Sequence, residues 1–169
     1  NHHPFELDEE DATISQYDSN SRTLNRYFQT VRYLDESIEE FFNLIKDAGI
    51  YEDSIIVLMG DHYGISDYHN RAMATYLDKD EITPFDHIQL QRVPLFIHIP
   101  GHEGEVISDI AGQVDIKPTL LYLLGVDDSN DIGFGTSLFA PNRKDYLALR
   151  DGSFITNELV FTKDIYYDR

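Results

Sequence analysis

The 169 residues carry 41% hydrophobic and 12% aromatic side chains, the balance of a folded chain rather than a disordered one. Their 31 acids outweigh 13 Lys and Arg to leave a formal charge of −18, which excludes a basic face for nucleic acid and a polybasic anchor for an anionic membrane surface. The absence of cysteine removes disulfides, thiolate metal sites and a cysteine nucleophile together; no apolar run reaches the ~20 residues of a membrane span, and a start at Asn1 without Met reads as a piece of something longer.

Residues 1–20 read as an extended acidic loop. His2 and His3 precede Pro4, and on residues alone they fit a tag or solvated loop as well as a ligand or substrate contact. Leu24, Tyr27, Phe28, Val31, Leu34, Ile38, Phe41, Phe42, Ile45 and Ala48 then recur at steps of three and four. That spacing predicts an amphipathic helix over 21–48, capped by Asn20 or Ser21, stopped at Gly49, with its aromatic stripe in the core.

The run Ile55-Ile56-Val57-Leu58-Met59 predicts a strand covered on both faces, as inside a parallel sheet. It stops at Gly60, and Asp61-His62 follow at a strand's carboxyl end, where ligands of open α/β sheets gather. Neighbours on an extended strand face opposite ways, so the pair shares a ligand only if the chain turns, a freedom expected from Gly60 and Gly64. The same two residues also fit a turn cap with a packed imidazole.

A short helix is expected over 67–78, with His69 a supporting or surface residue, then a charged loop to Pro84. Val93–Ile99 predicts a second strand ended by Pro100-Gly101, with His98 packed inside it and His102 in the polar loop beyond. Asp115–Gly125 reads as a helix whose first N–H groups Asp115 can bond, and 128–135 as a polar loop. Short runs at 146–150, 153–156, 159–162 and 165–167, punctuated by Asp151-Gly152, Asn157 and Asp164, predict an antiparallel meander. The expected organisation is α/β, with residues 1–140 carrying the chemistry and 141–169 a small β-rich region.

Gly60-Asp61-His62-Tyr63-Gly64, Gln113–Leu121 and Phe134-Gly135-Thr136-Ser137-Leu138-Phe139, in that order, resemble the sulfatase and alkaline-phosphatase-like superfamily. Within it, Asn1-His2-His3-Pro4-Phe5, Asp11-Ala12-Thr13-Ile14, Arg32-Tyr33-Leu34-Asp35, Gly60–Ser66 and Asp151–Thr156 look like the C-terminal portion of the extracellular catalytic domain of lipoteichoic acid synthases. The resemblance implies part of a sulfatase-like sheet flanked by helices, with a small antiparallel C-terminal region. It also implies transfer of glycerol phosphate from phosphatidylglycerol to a lipid-anchored polymer on the outer face of a Gram-positive cell membrane.

In that family a threonine nucleophile forms a phospho-enzyme beside a divalent ion, usually manganese with magnesium as the alternative. The ion is held by a Glu, the Thr, an Asp and a His; matched by motif, the Asp and His fall on Asp61 and His62. His2 matches a histidine that contacts substrate phosphate, which displaces the tag reading. Carboxylate, hydroxyl and imidazole together suit such a hard ion. The family's Glu, Thr and phosphate-binding Arg precede the Asn-His-x-Pro stretch, so they are expected upstream, and no threonine of this chain takes the nucleophile's place. The expected partners are the upstream half of the same domain and, through an upstream transmembrane region, the membrane; alone, the chain is not expected to catalyse. A sulfatase or phosphodiesterase of the same superfamily is the alternative enzyme, and a non-catalytic binding module the alternative of another class.

Overall fold

Helix α1, Arg22–Asp47, is the longest element of the computed structural model, which describes residues 2–127 and 132–169. Asn1 and the first four residues of the loop expected over 128–135 lie outside the described residues. The chain forms two compact units, Asn1–Gly104 and Glu105–Arg169. Among the described residues no helix is long and apolar enough to cross a membrane.

In the first unit, Ser21 caps α1 by accepting the Leu24 N–H, and Gly49 takes the left-handed conformation (φ 71°) that ends a helix. Leu24 is fully buried against Ala72 and Met73 of α2 (Asn70–Tyr76), with Tyr17, Phe28, Ile65, Ile82 and Leu90 packed around them. Burying a leucine of this kind contributes about 2 kcal/mol. A single 3-10 turn, Asp67–His69, leads into α2, and His69 Nδ1 lies 2.9 Å from the Ser21 hydroxyl. His69 therefore ties the start of α2 to the cap of α1.

A helix absent from the sequence reading follows, α3, Pro84–Leu90. Thr83 accepts the Asp86 N–H and Asp86 accepts the Thr83 N–H, with Pro84 in the first turn. The signal was the Thr-Pro-x-Asp order, a capping box read instead as the end of a loop. Asp86 is buried and also receives Lys79 Nζ at 2.5 Å. Burial pushes its carboxyl up, but the bonds from Lys79 and from the Thr83 side chain and backbone outweigh that and hold it below the usual carboxylate range.

Strand β1, Ile56–Met59, pairs antiparallel with β2, Leu95–His98, in the register Ile56↔His98 to Met59↔Leu95. The expected doubly covered parallel strand is therefore corrected: β1 is only partly buried and, among the described residues, β2 is its one partner. An apolar run reports what a strand is suited to bury, while covering both faces takes layers that this unit does not supply to it. The stripe of α1 divides in the same way. Its first turns enter the core, whereas Val31, Leu34, Phe41 and Leu44 stay more than a third exposed, as does Phe96 of β2. His98 is packed as expected, stacked on Tyr51 with centroids 4.0 Å apart.

In the second unit, α4 (Ile116–Leu123) follows a 3-10 turn, Gln113–Asp115, and ends at Gly125 (φ 65°). Strands β3 (Tyr146–Ala148), β4 (Phe154–Thr156), β5 (Leu159–Thr162) and β6 (Ile165–Asp168) form the expected meander, each antiparallel to the next. Lys163 and Asp164 both have positive φ, the two-residue turn whose twist suits a tight hairpin. Val160 and Thr162 alternate inward on β5, and the buried Ser153 hydroxyl bonds that of Thr162 at 3.1 Å.

Candidate metal centre

β1 delivers the chain to Gly60, whose N–H still bonds the Pro94 carbonyl at 3.0 Å. A Cβ at Gly60 would stand 2.8 Å from Val93 Cβ and 3.3 Å from Pro94 Cδ, so this position holds glycine because those two side chains lie against its backbone. Gly64 is similar: a Cβ would meet the Tyr27 hydroxyl at 2.5 Å and its ring at 2.7 Å. Neither glycine has a positive φ, which corrects the expectation that they supply conformational freedom. They supply the absence of a side chain.

Between them the chain bends, and Asp61 and His62 turn toward each other, with Asp61 Oδ1 3.8 Å from His62 Nε2. His62 Nδ1 lies 2.8 Å from the Tyr63 carbonyl oxygen. A carbonyl only accepts, so Nδ1 carries the hydrogen and the neutral ring keeps its lone pair on Nε2. A carboxylate oxygen and an imidazole lone pair thus face one another across a gap shorter than two metal–ligand bonds of about 2.1 Å. Two acceptors in that relation are stabilised by a cation between them, a proton or a metal ion. The donor set fits a hard or borderline divalent ion.

His2 belongs to the same cluster. Its ring lies edge-on to that of His62, with centroids 6.3 Å apart, and its Nδ1 lies 2.8 Å from the His3 carbonyl oxygen, which again leaves Nε2 unprotonated in the neutral ring. Phe5 anchors this segment. Its N–H bonds the His2 carbonyl at 2.9 Å, the residue is 5% exposed, and it adopts φ 56°. A left-handed backbone at a phenylalanine costs about 1–2 kcal/mol, offset here by burial of the ring against Tyr27. Tyr27 is half-buried, and burial pushes its hydroxyl pKa up.

The structure thus brings His2, Asp61 and His62 together and leaves His69, His98 and His102 with other partners or in solvent: His69 with Ser21, His98 on Tyr51, His102 in an exposed loop. Among the described residues no group of three or more His, Cys, Asp or Glu is arranged to hold a metal ion. Phe5 and Tyr27 are the residues that sequence reasoning did not attach to this cluster. The signal was Gly64, which implies a large neighbour.

A model of the family described as Sulfatase matches residues 1–126. The chain belongs to the sulfatase family. It is 55% identical over its whole length to the lipoteichoic acid synthase-like protein YvgJ of Bacillus subtilis (strain 168), and 47% identical over 99% of its length to lipoteichoic acid synthase 1 of that strain. It spans 28% and 26% of those two proteins. Among solved structures, the lipoteichoic acid synthase LtaP from Listeria monocytogenes matches with a TM-score of 0.80 at 30% identity, over 96% of this chain and 41% of that one. The likeness to lipoteichoic acid synthases read from the motifs is borne out by these relatives.

The other two motifs of this sulfatase-family chain interlock as scaffold. Asp115, expected to cap α4, does not bond its first turn. Because it ends the preceding 3-10 turn, its carboxylate reaches back to the Gly112 N–H at 2.9 Å and across to the Thr136 N–H at 2.8 Å. Arg143 Nη2 bonds the same carboxylate at 3.3 Å and also donates to the Ile110 carbonyl. Thr119, fully buried, donates to the Asp115 carbonyl at 2.6 Å and accepts the Leu138 N–H at 3.0 Å. Gly135 lies so close to the Val114 carbonyl that a Cβ would overlap it. Gln113–Leu121 and Phe134–Phe139 are therefore one knot of backbone and buried charge.

Proposed function

We propose that this chain is part of a metal-dependent glycerol-phosphate transferase that builds lipoteichoic acid from phosphatidylglycerol, with Asp61 and His62 as two of the metal ligands and His2 as a substrate-phosphate contact. The observation that supports the reading best is the facing of two acceptors, Asp61 Oδ1 and His62 Nε2, across 3.8 Å, with His2 beside them. The relatives named as lipoteichoic acid synthases favour phosphoryl transfer over sulfate-ester hydrolysis for this member of the family.

A bound divalent ion, manganese or magnesium, would supply charge neutralisation at the phosphoryl oxygens and a lowered pKa for a coordinated hydroxyl. Asp61 and His62 orient toward one point, His62 through the bond that fixes its Nδ1 hydrogen. His2, with Nε2 available, would take a hydrogen bond from a protonated phosphate or alcohol, or give one when itself protonated. The nucleophilic threonine and the remaining ligands belong to the rest of the domain, outside this chain. Its apolar surfaces would also cover the exposed stripe of α1 and Phe96 of β2. The intact protein would act at the outer face of a Gram-positive cell membrane, held there by its own transmembrane region.

The test uses the intact protein. Asp61→Ala and His62→Ala should each abolish manganese binding, followed by calorimetric titration, and polymer formation from phosphatidylglycerol. His2→Ala should keep manganese bound while slowing turnover. Activity retained in either ligand variant would reject the assignment, and loss of manganese from His2→Ala would make His2 a ligand.

A further inference from the structure

Two segments distant in sequence make up the cluster, the turn at His2–Phe5 and the bend at Gly60–Gly64, and one side chain touches both. Tyr27 packs edge-on against Phe5, with ring centroids 5.2 Å apart, and its ring and hydroxyl occupy the space a Cβ of Gly64 would need. Its own place is fixed by its neighbours on α1, since Leu24, one turn earlier, is fully buried and Phe28 packs on the same core. Arg26, adjacent on the helix, holds Glu6 at 2.7 Å, a second grip on the segment that follows Phe5. Asp61 and His62 are largely exposed at the side chain, 87% and 60%, so packing of their own side chains does little to aim them. Their aim comes from the backbone that carries them, and Gly64 is where that backbone meets a rigid side chain.

We propose that Tyr27 is a positioning residue, a clasp that sets the separation of His2 from Asp61 and His62 by holding Phe5 on one side and Gly64 on the other. The proposal rests on the reading of those three residues as one centre. Its role requires the ring at that place and leaves the metal's chemistry to others. Gly64 is the complementary half, and the pair is expected to behave as a unit: a methyl group at 64 displaces the bend, and a smaller side chain at 27 makes room for it.

The experiment is a manganese titration of the intact protein, followed by the electron paramagnetic resonance signal of free Mn2+, with steady-state kinetics alongside. Gly64→Ala should weaken manganese binding by about ten- to a hundredfold, the range for residues that orient a metal ligand from outside. Tyr27→Leu combined with Gly64→Ala should recover most of that loss, and Tyr27→Phe, which keeps the ring, should bind as wild type. Tyr27→Ala should lower kcat and weaken manganese binding, with circular dichroism checking that it folds. The clasp is overturned if Gly64→Ala binds manganese as wild type, or if the double variant is no better than Gly64→Ala, while Asp61→Ala loses the metal. Should Asp61→Ala also bind as wild type, the metal reading falls and the clasp falls with it.

Discussion

Asp61 and Asp115 sit in two stretches that resemble the same family, yet the first has a side chain 87% exposed facing an imidazole nitrogen at 3.8 Å, and the second is 10% exposed beneath two backbone N–H groups and a guanidinium. A carboxylate taken out of water must be satisfied by its own chain, and Asp115 is. Asp61 instead stays at the surface beside His62, where the proposed metal ion would bind. On the proposed reading of Asp61 as a metal ligand, the difference in burial predicts opposite phenotypes.

The largest effect expected is on function at the exposed acid. Asp61→Ala should cost at least about a thousandfold in polymer formation by the intact protein, the scale of removing a metal from a phosphoryl-transfer site, near 4 kcal/mol of barrier. Its effect on urea unfolding should stay within about 0.5 kcal/mol, as for other surface substitutions. Asp115→Ala should do the reverse. It leaves Arg143, whose side chain is 6% exposed, with Asp145 at 3.2 Å as its remaining carboxylate, and takes the acceptor from the Gly112 and Thr136 N–H groups, a loss of about 1–3 kcal/mol for each buried donor left unsatisfied. Thermal unfolding checks it, and a melting temperature unchanged in Asp115→Ala would undo the contrast.

Much of this was legible in advance, and what was not has identifiable causes. Periodicity located α1, the strands and the meander because each has one face that must be buried, whatever the rest of the molecule does. It misjudged β1, since a run such as Ile56-Val57-Leu58 records an appetite for burial without recording what supplies it. Asp61 and His62 were legible as a pair through their position at a strand end. Their shared direction was not, because it depends on Gly60 fitting beneath Val93 and Gly64 beneath Tyr27, contacts between residues more than thirty positions apart. Asp115 was read as a cap because local spacing allows one; the competing partners, Thr136 and Arg143, come from the far side of the loop.

An intermediate effect is expected where the unit leaves its apolar surface uncovered. Phe96 is 64% exposed and lies on β2 opposite Leu58. If the remainder of the domain packs on this sheet, Phe96→Ser in the intact protein should cost about 2–3 kcal/mol, the value of a buried phenylalanine. The same change in the 169-residue chain alone should be nearly neutral. Equal, small effects in both would mean that the face is solvated in the whole protein, and would weaken the proposal that the upstream half covers it.

The smallest effect is the one with a pH signature. Asp86 is buried like Asp115, but its ties are to the cap of α3 and to Lys79, a half-exposed partner. Its carboxyl is held below the usual range in the folded chain, so the unfolded state binds the proton more readily. The stabilisation it confers is complete above the ordinary aspartate value of about 4 and fades as pH falls through the lower folded value. Replacing a capping residue of this kind costs about 1–2 kcal/mol. The difference in urea stability between wild type and Asp86→Asn should therefore be largest near neutral pH and shrink below about pH 4, because protonation does to the wild type what the substitution has already done. A difference that stayed constant across that interval would mean that the charge on Asp86 contributes nothing, and that Thr83 and Asp86 hold α3 by hydrogen-bond geometry alone.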